Sequence, residues 1–179
     1  EIERLLKEKG ISTEFIHIEN GTSRINLKIR SDVESEINGM GPVIRKEDLE
    51  LLYEQLDTLK DDDVLVLAGS IPSGMPQSIY RDIMSRLQSK QIKIAVDATK
   101  DLLMNVLAYH PFVIKPNNHE LSEIFDVTID SKEKAVVYAK ELQKKGAQNV
   151  IVSMAGEGAV FVGSDGSVFI SEAPHGVVK

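Results

Sequence analysis

From Lys46 onward, the sequence alternates between amphipathic helical segments and short runs that are almost entirely apolar. Such runs are typical of strands buried in a parallel sheet, and the segments between them are typical of the helices that cover it. We therefore predict an α/β fold with a mostly parallel sheet covered by helices on both faces. The predicted strands are 64–68, 92–96, 112–115 and 150–152, and the predicted helices are 46–59, 77–89, 101–108, 132–145 and one that begins at Asn117. Two further strands, 159–162 and 167–170, are predicted to form a hairpin around Asp165-Gly166.

The segment before this alternation has a different pattern. Between residues 13 and 42, three short stretches alternate polar and apolar residues as strands do, at 15–18, 23–29 and 34–37. In the second stretch, Arg24, Asn26 and Lys28 share one face. The pattern predicts a small sheet with one polar face, which a turn or hinge at Gly39-Met-Gly-Pro42 follows.

The 179-residue chain carries a net charge of −7 and no cysteine. A negative chain has no general attraction for nucleic acid or an acidic membrane, so a bound phosphate needs locally placed cations. The absence of cysteine excludes disulfides and thiolate zinc sites. No apolar stretch approaches the roughly 20 residues that span a bilayer, and the first residues lack signal-peptide character. We expect a cytoplasmic protein with no nucleic-acid partner and no membrane partner.

The run from Lys115 to Glu120 lies where a predicted strand ends and a helix begins, the edge at which α/β proteins bind ligands. Asn117-x-x-Glu120 matches a capping box, in which both side chains bond the backbone of the helix start. On that interpretation the pair only caps the helix. Lys115 favours a second interpretation, because a cap needs no cation there. Lys115 and Asn117 then bind nucleotide phosphates at a helix N-terminus, and Glu120 orients the waters of Mg²⁺.

Two loops predicted at the same edge contain small residues. Gly69-Ser-Ile-Pro-Ser-Gly74 follows the first core strand, and Ser153-Met-Ala-Gly-Glu-Gly158 follows the fourth. The simplest interpretation of each is an ordinary connecting loop. Beside a nucleotide, Gly158 allows close approach of the backbone and Ser153 donates to a phosphate. The sequence contains neither a Walker A motif nor G-x-G-x-x-G, and its four histidines lack metal-ligand spacing.

Together these segments resemble the PfkB (ribokinase-like) family of carbohydrate kinases. The resemblance spans nearly the whole chain and rests on motifs that occur in the family's order. The motifs are Thr22-Ser-Arg-Ile-Asn-Leu, Glu36-Ile-Asn-Gly, Ala68-Gly-Ser-Ile-Pro-Ser-Gly74, Val96-Asp-Ala, Ile114-Lys-Pro-Asn-x-x-Glu-Leu121, Gly146-Ala-Gln-x-Val-Ile-Val-Ser153 and Gly156-x-Gly-Ala159. The Glu-Ile-Asn-Gly-x-Gly-Pro stretch is most similar to members that phosphorylate fructose 1-phosphate, with tagatose-6-phosphate kinases second. One position departs from the pattern, because Ala155 stands where the family usually has glycine.

The resemblance implies a ribokinase-like fold in which residues 13–42 form a β-sheet lid. Residues 1–12 and 43–179 then form an α/β nucleotide-binding core that is incomplete at both ends. The implied reaction is the ATP- and Mg²⁺-dependent conversion of fructose 1-phosphate to fructose 1,6-bisphosphate. The family's glycine- and lysine-bearing substrate motif is expected before Glu1 and its catalytic aspartate after Lys179, so the segment alone is expected to be inactive. Association through the lid sheet makes a homodimer an expectation.

The site residues implied by the resemblance fall into three groups. They are Arg24, Asn26 and Ser70 for the sugar phosphate, Lys115, Asn117, Ser153, Gly156 and Gly158 for the nucleotide, and Glu120 for the metal. The segment itself is expected to supply no catalytic base. Two interpretations of other classes stay open: a non-catalytic domain that binds nucleotide or sugar phosphate, and a generic α/β domain whose polar strand ends are only caps.

Overall fold

A computed structural model of the chain describes residues 1–29, 35–72, 75–174 and 176. Its internal contacts divide the chain into two compact units. The first unit comprises Glu1–Thr58 and Ile71–Met75, and the second comprises Leu59–Ser70 and Pro76–Lys179. The predicted lid, residues 13–42, belongs to the first unit, and its status as a separate domain stays a prediction.

The described part of the first unit combines two helices with a small antiparallel ribbon. The helices are α1 (Ile2–Glu8) and α2 (Lys46–Asp57), and the strands are β1 (Asn26–Ile29) and β2 (Ser35–Asn38). In the ribbon Asn26 is paired with Asn38, and Gly39 N donates to Ile25 O at 2.9 Å beyond the last pair. The ribbon is exposed on both faces.

The strand predictions for this unit are confirmed only in part. The stretch 23–29 forms a strand over its last four residues, and the stretch 34–37 is matched by β2, with Glu34 outside the described residues. The predicted strand at 15–18 is wrong, because these residues are described and have no strand conformation. Alternation sorts side chains onto two faces, but a strand also needs a hydrogen-bonded neighbour, and within the described residues none pairs with this stretch.

The second unit is built around a six-stranded mixed sheet. Its strands lie in sequence order, parallel from β3 to β6 and antiparallel for β7 and β8. The strands are β3 (Val64–Ala68), β4 (Lys93–Asp97), β5 (Val113–Ile114), β6 (Asn149–Ser153), β7 (Ala159–Val162) and β8 (Val168–Ser171). The helices are α3 (Ile79–Leu87), α4 (Lys100–Val106), α5 (Asn118–Phe125) and α6 (Lys132–Lys144), with 3-10 turns at Leu107–Tyr109 and Ala155–Glu157. The predicted α/β class with a mostly parallel sheet is confirmed.

One face of this sheet carries the core of the second unit. Val96, Ile114 and Val150 are paired across β4, β5 and β6, and each is at most 2% exposed. Helices α3 to α6 contact one another in succession and so form one layer. A sheet whose strands follow in sequence order receives all its connecting helices on one face when the crossovers are right-handed.

The opposite face of the sheet is open near its first strand. Val64 and Val66 of β3 are 65% and 62% exposed. Within the second unit, helices α3 to α6 form one layer against the sheet. Apolar strands indicated burial on both sides, but the strand order decides which side the helices of this unit occupy. Among the described residues, no helix has both the length and the apolar character needed to cross a bilayer.

Asn149 ties three parts of the second unit together. It is 8% exposed, its Nδ2 donates to Phe112 O at 2.6 Å, and its Oδ1 accepts from Ser164 N at 3.0 Å. It thus fixes the start of β6 against β5 and against the loop of the predicted β7–β8 hairpin. That hairpin is confirmed, and Gly166 in its loop has a φ of +83°.

Candidate functional site

The carboxyl ends of the parallel strands meet at one edge of the sheet. Asp97 ends β4, and Lys115, the residue after β5, donates its backbone N–H to Val96 O at 3.1 Å. Two residues further, Asn117 forms a parallel bridge with Ser153 at the end of β6. The pairing of the strands therefore brings Asp97, Lys115, Asn117 and Ser153 together along this edge.

Lys115 is oriented by an ion pair with the neighbouring strand. Its Nζ lies 3.2 Å from Asp97 Oδ1, and both side chains are 47% exposed. A pair this exposed contributes about 0–1 kcal/mol to stability, because water and salt screen it. The pair therefore orients the ammonium group and still leaves it available to an anion.

Asn117 and Glu120 form the capping box that the sequence predicted. Asn117 Oδ1 accepts from Glu120 N at 2.8 Å, and Glu120 Oε2 accepts from Asn117 N at 2.8 Å. The extended backbone of Asn117, with φ −89° and ψ 170°, starts helix α5 at Asn118. The box uses the amide oxygen of Asn117 and one of the two carboxylate oxygens of Glu120. Asn117 Nδ2 and Glu120 Oε1 take no part in the box. They belong to residues at a helix N-terminus, which attracts anions.

These residues fit a magnesium ion held mainly through water and nucleotide phosphates. Magnesium keeps several waters and needs only one or two carboxylates, and Glu120 is half-buried with Oε1 outside the capping box. Over residues 1–29, 35–72, 75–174 and 176, no group of three or more His, Asp or Glu side chains lies close enough to hold a metal ion. The described residues therefore do not form a metal site in which the protein alone supplies three or more such ligands.

The loop after Ser153 is a tight 3-10 turn. Met154 N donates to Gly158 O at 2.8 Å and closes the loop between β6 and β7. Ala155 has a φ of +48°, in the left-handed region that costs an L-residue about 1–2 kcal/mol. The family's usual glycine at this position therefore corresponds to a backbone requirement, which this chain meets with alanine.

The two glycines of this loop have different surroundings. Gly158 has a φ of +95°, and a Cβ there would lie 2.0 Å from Ser171 O and 2.8 Å from Ala173 N. The backbone that follows β8 therefore requires glycine at position 158, whether or not a ligand binds this loop. Gly156 is exposed, and no atom lies within 4 Å of where its Cβ would be. The space beside Gly156 is thus open to a ligand, and the nucleotide roles of both glycines stay predictions.

Ser70 follows β3 in the second unit and is exposed. The preceding residue, Gly69, has a φ of +97° and accepts a hydrogen bond from Tyr80 Oη at 2.9 Å. Burial raises the pKa of the Tyr80 hydroxyl, and the nearby Asp97 carboxylate raises it further. The sugar-binding role of Ser70 stays a prediction, and Ser73 and Gly74 of the same motif lie outside the described residues.

Arg24 and Asn26 belong to the first unit, where Asn26 begins β1 and Arg24 precedes it by two residues. Arg24 Nε donates to Asn26 Oδ1 at 2.8 Å, and both residues are exposed. This hydrogen bond brings the two side chains together, and the predicted sharing of one strand face by Arg24, Asn26 and Lys28 stays a prediction, because Arg24 precedes β1. The predicted sugar-phosphate pair and the predicted nucleotide group each have a defined geometry within their own unit.

Sequence reasoning gave too little weight to two residues near the strand ends. Asp97 stands in the motif Val96-Asp-Ala, but its pairing with Lys115 depends on the register of β4 and β5, which a single sequence does not reveal. Tyr80 carried no signal, because an aromatic residue near a helix start is usually core. Its hydroxyl contact with Gly69 appears only when α3 packs on the sheet.

Comparison with known proteins places the chain in a family. The family model described as pfkB family carbohydrate kinase matches residues 1–179. A 1-phosphofructokinase of Bacillus subtilis is 39% identical over 175 residues, which are 98% of this chain and 57% of that protein. A D-tagatose-1-phosphate kinase of Bacillus licheniformis is 32% identical over 162 residues, which are 90% of this chain and 53% of that protein.

A solved structure has the same fold over nearly the whole chain. The crystal structure of phosphofructokinase-2 from Escherichia coli in complex with fructose-6-phosphate matches with a TM-score of 0.86 at 23% identity. The match covers 98% of this chain and 59% of that one. The chain thus spans a little more than half the length of the relatives it matches. The full-length family match, the identity to these relatives and the shared fold together show that this chain belongs to the pfkB family of carbohydrate kinases.

Proposed function

We propose that the protein carrying this chain is a cytoplasmic kinase that transfers a phosphoryl group from ATP to fructose 1-phosphate, giving fructose 1,6-bisphosphate and ADP. The observation that carries the proposal is the placement of Lys115, Asn117 and Glu120 at the strand ends and at the start of α5. The similarity to a 1-phosphofructokinase supports fructose 1-phosphate as the acceptor.

The nucleotide side of the proposed site binds and orients the phosphates. Lys115 exchanges its exposed pair with Asp97 for a phosphate oxygen. Asn117 Nδ2, which the cap leaves unused, donates to another phosphate oxygen, and Glu120 holds the water shell of the metal. Bound ATP would supply the phosphoryl group, and its Mg²⁺ would neutralise the charge that develops during the transfer. We assign no residue of this chain the role of catalytic base.

The acceptor side binds the phosphate that the sugar already carries. A guanidinium group matches a phosphate with two parallel hydrogen bonds, and the bond of Arg24 to Asn26 holds that group beside the start of β1. Ser70 donates to a sugar hydroxyl. Ser153 and the backbone of residues 154–158, which includes both loop glycines, line the nucleotide phosphates.

A coupled assay of ADP release with the complete protein tests the proposed reaction. Fructose 1-phosphate is expected to give the highest kcat/KM among fructose 1-phosphate, fructose 6-phosphate, tagatose 1-phosphate and tagatose 6-phosphate. A higher value for a tagatose phosphate would favour a tagatose-phosphate kinase, the second candidate, which the similarity to a D-tagatose-1-phosphate kinase supports. Nucleotide binding without turnover of any of the four would point instead to a non-catalytic binding domain.

Variants of Asn117 separate nucleotide binding from helix capping. Asn117→Ala removes both the cap and the amide and is expected to cost about 0.5–2 kcal/mol of unfolding free energy. Asn117→Ser keeps a capping oxygen but removes the amide N–H donors, so it is expected to retain stability and still lose affinity for MgATP. Ser131→Ala, at the cap of α6 where Ser131 Oγ accepts from Lys134 N at 3.3 Å, is the control for loss of a cap alone. Unchanged MgATP affinity in Asn117→Ser would refute the role of the amide.

We also propose that two copies associate through the ribbon of β1 and β2. The face opposite Arg24 and Asn26 carries Leu27 and Ile37, which are 53% and 58% exposed and are paired directly across the two strands. Burying such a face against a second copy removes apolar surface from water. Sedimentation velocity is expected to show a dimer that Leu27→Lys converts to a monomer, and a wild-type monomer at micromolar concentration would refute the proposal.

A further inference from the structure

Tyr80 connects the core of the second unit to the turn after β3. It is the second residue of α3, and the residue as a whole is 9% exposed. Its hydroxyl donates to Gly69 O at 2.9 Å, across eleven residues of sequence. A buried aromatic ring therefore holds a backbone carbonyl at the edge of the sheet where the proposed site lies.

The turn that Tyr80 holds begins at an exposed glycine. Gly69 is exposed, its φ is +97°, and no atom lies within 4 Å of the position that a Cβ would take. Glycine is thus required there for its conformation and not for lack of space. A glycine with free space around it samples many conformations unless a hydrogen bond restricts it, and the bond from Tyr80 Oη does so.

The same tyrosine lies near the nucleotide side of the edge. Asp97, whose charge reaches the Tyr80 hydroxyl, is the residue that pairs with Lys115 at 3.2 Å. Because burial and this carboxylate both raise the pKa of Tyr80, the hydroxyl keeps its proton and remains a donor throughout the neutral pH range. A chain of interactions therefore crosses the ends of β3, β4 and β5, from Gly69 through Tyr80 and Asp97 to Lys115.

We propose that Tyr80 is a positioning residue for the acceptor sugar, because its bond to Gly69 O fixes the backbone that presents Ser70. The inference rests on the proposed function for the role of Ser70. One hydrogen bond contributes about 0.5–1.5 kcal/mol net, so its loss is expected to raise the KM for the sugar phosphate by about 2- to 10-fold. The KM for ATP is expected to stay within twofold, because Tyr80 is bonded to the sugar-side turn and not to Lys115 or Asn117.

Steady-state kinetics of Tyr80→Phe in the complete protein test this inference. Tyr138→Phe is the matched control, since it removes the same hydroxyl oxygen from a tyrosine of α6. The ring centroid of Tyr138 lies 5.0 Å from that of Phe125. Tyr80→Phe is expected to raise the KM for fructose 1-phosphate alone, and Tyr138→Phe is expected to change neither KM. Equal rises in both KM values, or no rise for the sugar phosphate, would overturn the positioning role.

Amide hydrogen exchange provides a readout that does not depend on turnover. The amides of Gly69 and Ser70 are expected to exchange about 2- to 10-fold faster in Tyr80→Phe, as the loss of one hydrogen bond predicts, while those of α5 stay unchanged. If the wild-type protein phosphorylates no hexose phosphate, the proposed function fails. Equal exchange in wild type and Tyr80→Phe overturns the anchoring by Tyr80 whether or not the protein turns over.

Discussion

Replacing Gly158 with alanine tests whether the β6–β7 loop needs glycine for the fold itself. The new Cβ would lie 2.0 Å from Ser171 O and 2.8 Å from Ala173 N. Non-bonded carbon and oxygen atoms stay about 3.3 Å apart, so Ser171 O has to move by about 1.3 Å. The atoms that must move are backbone atoms at the end of β8, which cannot rotate away as a side chain would.

The magnitude follows from three contributions. Holding alanine at the φ of +95° and ψ of −135°, a region populated almost only by glycine, costs about 1–3 kcal/mol, and forcing an extra carbon into occupied space costs about 1–3 kcal/mol. The smaller entropy of the unfolded alanine chain offsets about 0.4–1 kcal/mol. Gly158→Ala is therefore expected to lower the free energy of unfolding by about 1–6 kcal/mol.

Gly166→Ala is the control that isolates the steric contribution. Gly166 has a φ of +83°, but no atom lies within 4 Å of where its Cβ would be. It therefore bears the conformational cost alone and is expected to lose about 0–1.5 kcal/mol after the same entropic offset. Urea unfolding of the complete protein, with midpoint and slope compared for both variants, measures the difference. Equal destabilisation by the two substitutions would refute the contact argument for Gly158.

Three further predictions concern the same loop and the first unit. Ala155→Gly relieves a φ of +48° and is expected to change the unfolding free energy by between about 0 and +1.5 kcal/mol, because relief of about 1–2 kcal/mol exceeds the added chain entropy; a clear loss of stability in urea unfolding would contradict it. Gly156→Ala meets open space and is expected to leave stability within about 0.5 kcal/mol, while isothermal titration shows weaker MgATP binding if the nucleotide approaches the backbone there. Asp48 is 4% exposed, and the Arg45 guanidinium bonded to it holds the pKa of its carboxyl below the usual range despite the opposing effect of burial. The stability that this carboxylate contributes is present above its unfolded pKa of about 3.9 and is lost as pH falls through the lower folded value, so Asp48→Asn is expected to make urea midpoints less dependent on pH below about 4.

Most helices and strands of the second unit were predictable because their signals are local. Val64–Ala68 and Lys132–Lys144 differ from the predicted bounds by at most one residue. β5 is shorter than predicted, and its two residues are identified as a strand by their pairing on both sides, to β4 and to β6. The error at 15–18 has the same origin, since the alternating pattern there is real but its pairing partner is absent from the described chain. Pairing is a long-range property, and one sequence reports it poorly.

The candidate site divides in the same way. Asn117 and Glu120 interact over three residues, so the capping box followed from spacing alone. The pair of Lys115 with Asp97 and the bond of Tyr80 to Gly69 join residues that are eleven or more positions apart. These two contacts depend on strand register and helix packing, which cannot be predicted from the sequence alone. Local chemistry was therefore predictable at this site, and the contacts that orient it were not.

The capping box at Asn117 and Glu120 has a consequence for how the site is tuned. Both side chains are immobilised by the helix start, so a ligand that binds them avoids an ordering cost of about 0.5–1.5 kcal/mol for each. That saving lasts only while the first turn of α5 is folded. Ligand affinity is therefore coupled to the equilibrium between the folded and the open turn. A substitution that frays α5 without touching the ligand should weaken binding in proportion to the fraction of molecules in which the turn is open. At this site, affinity is therefore partly a measure of helix stability.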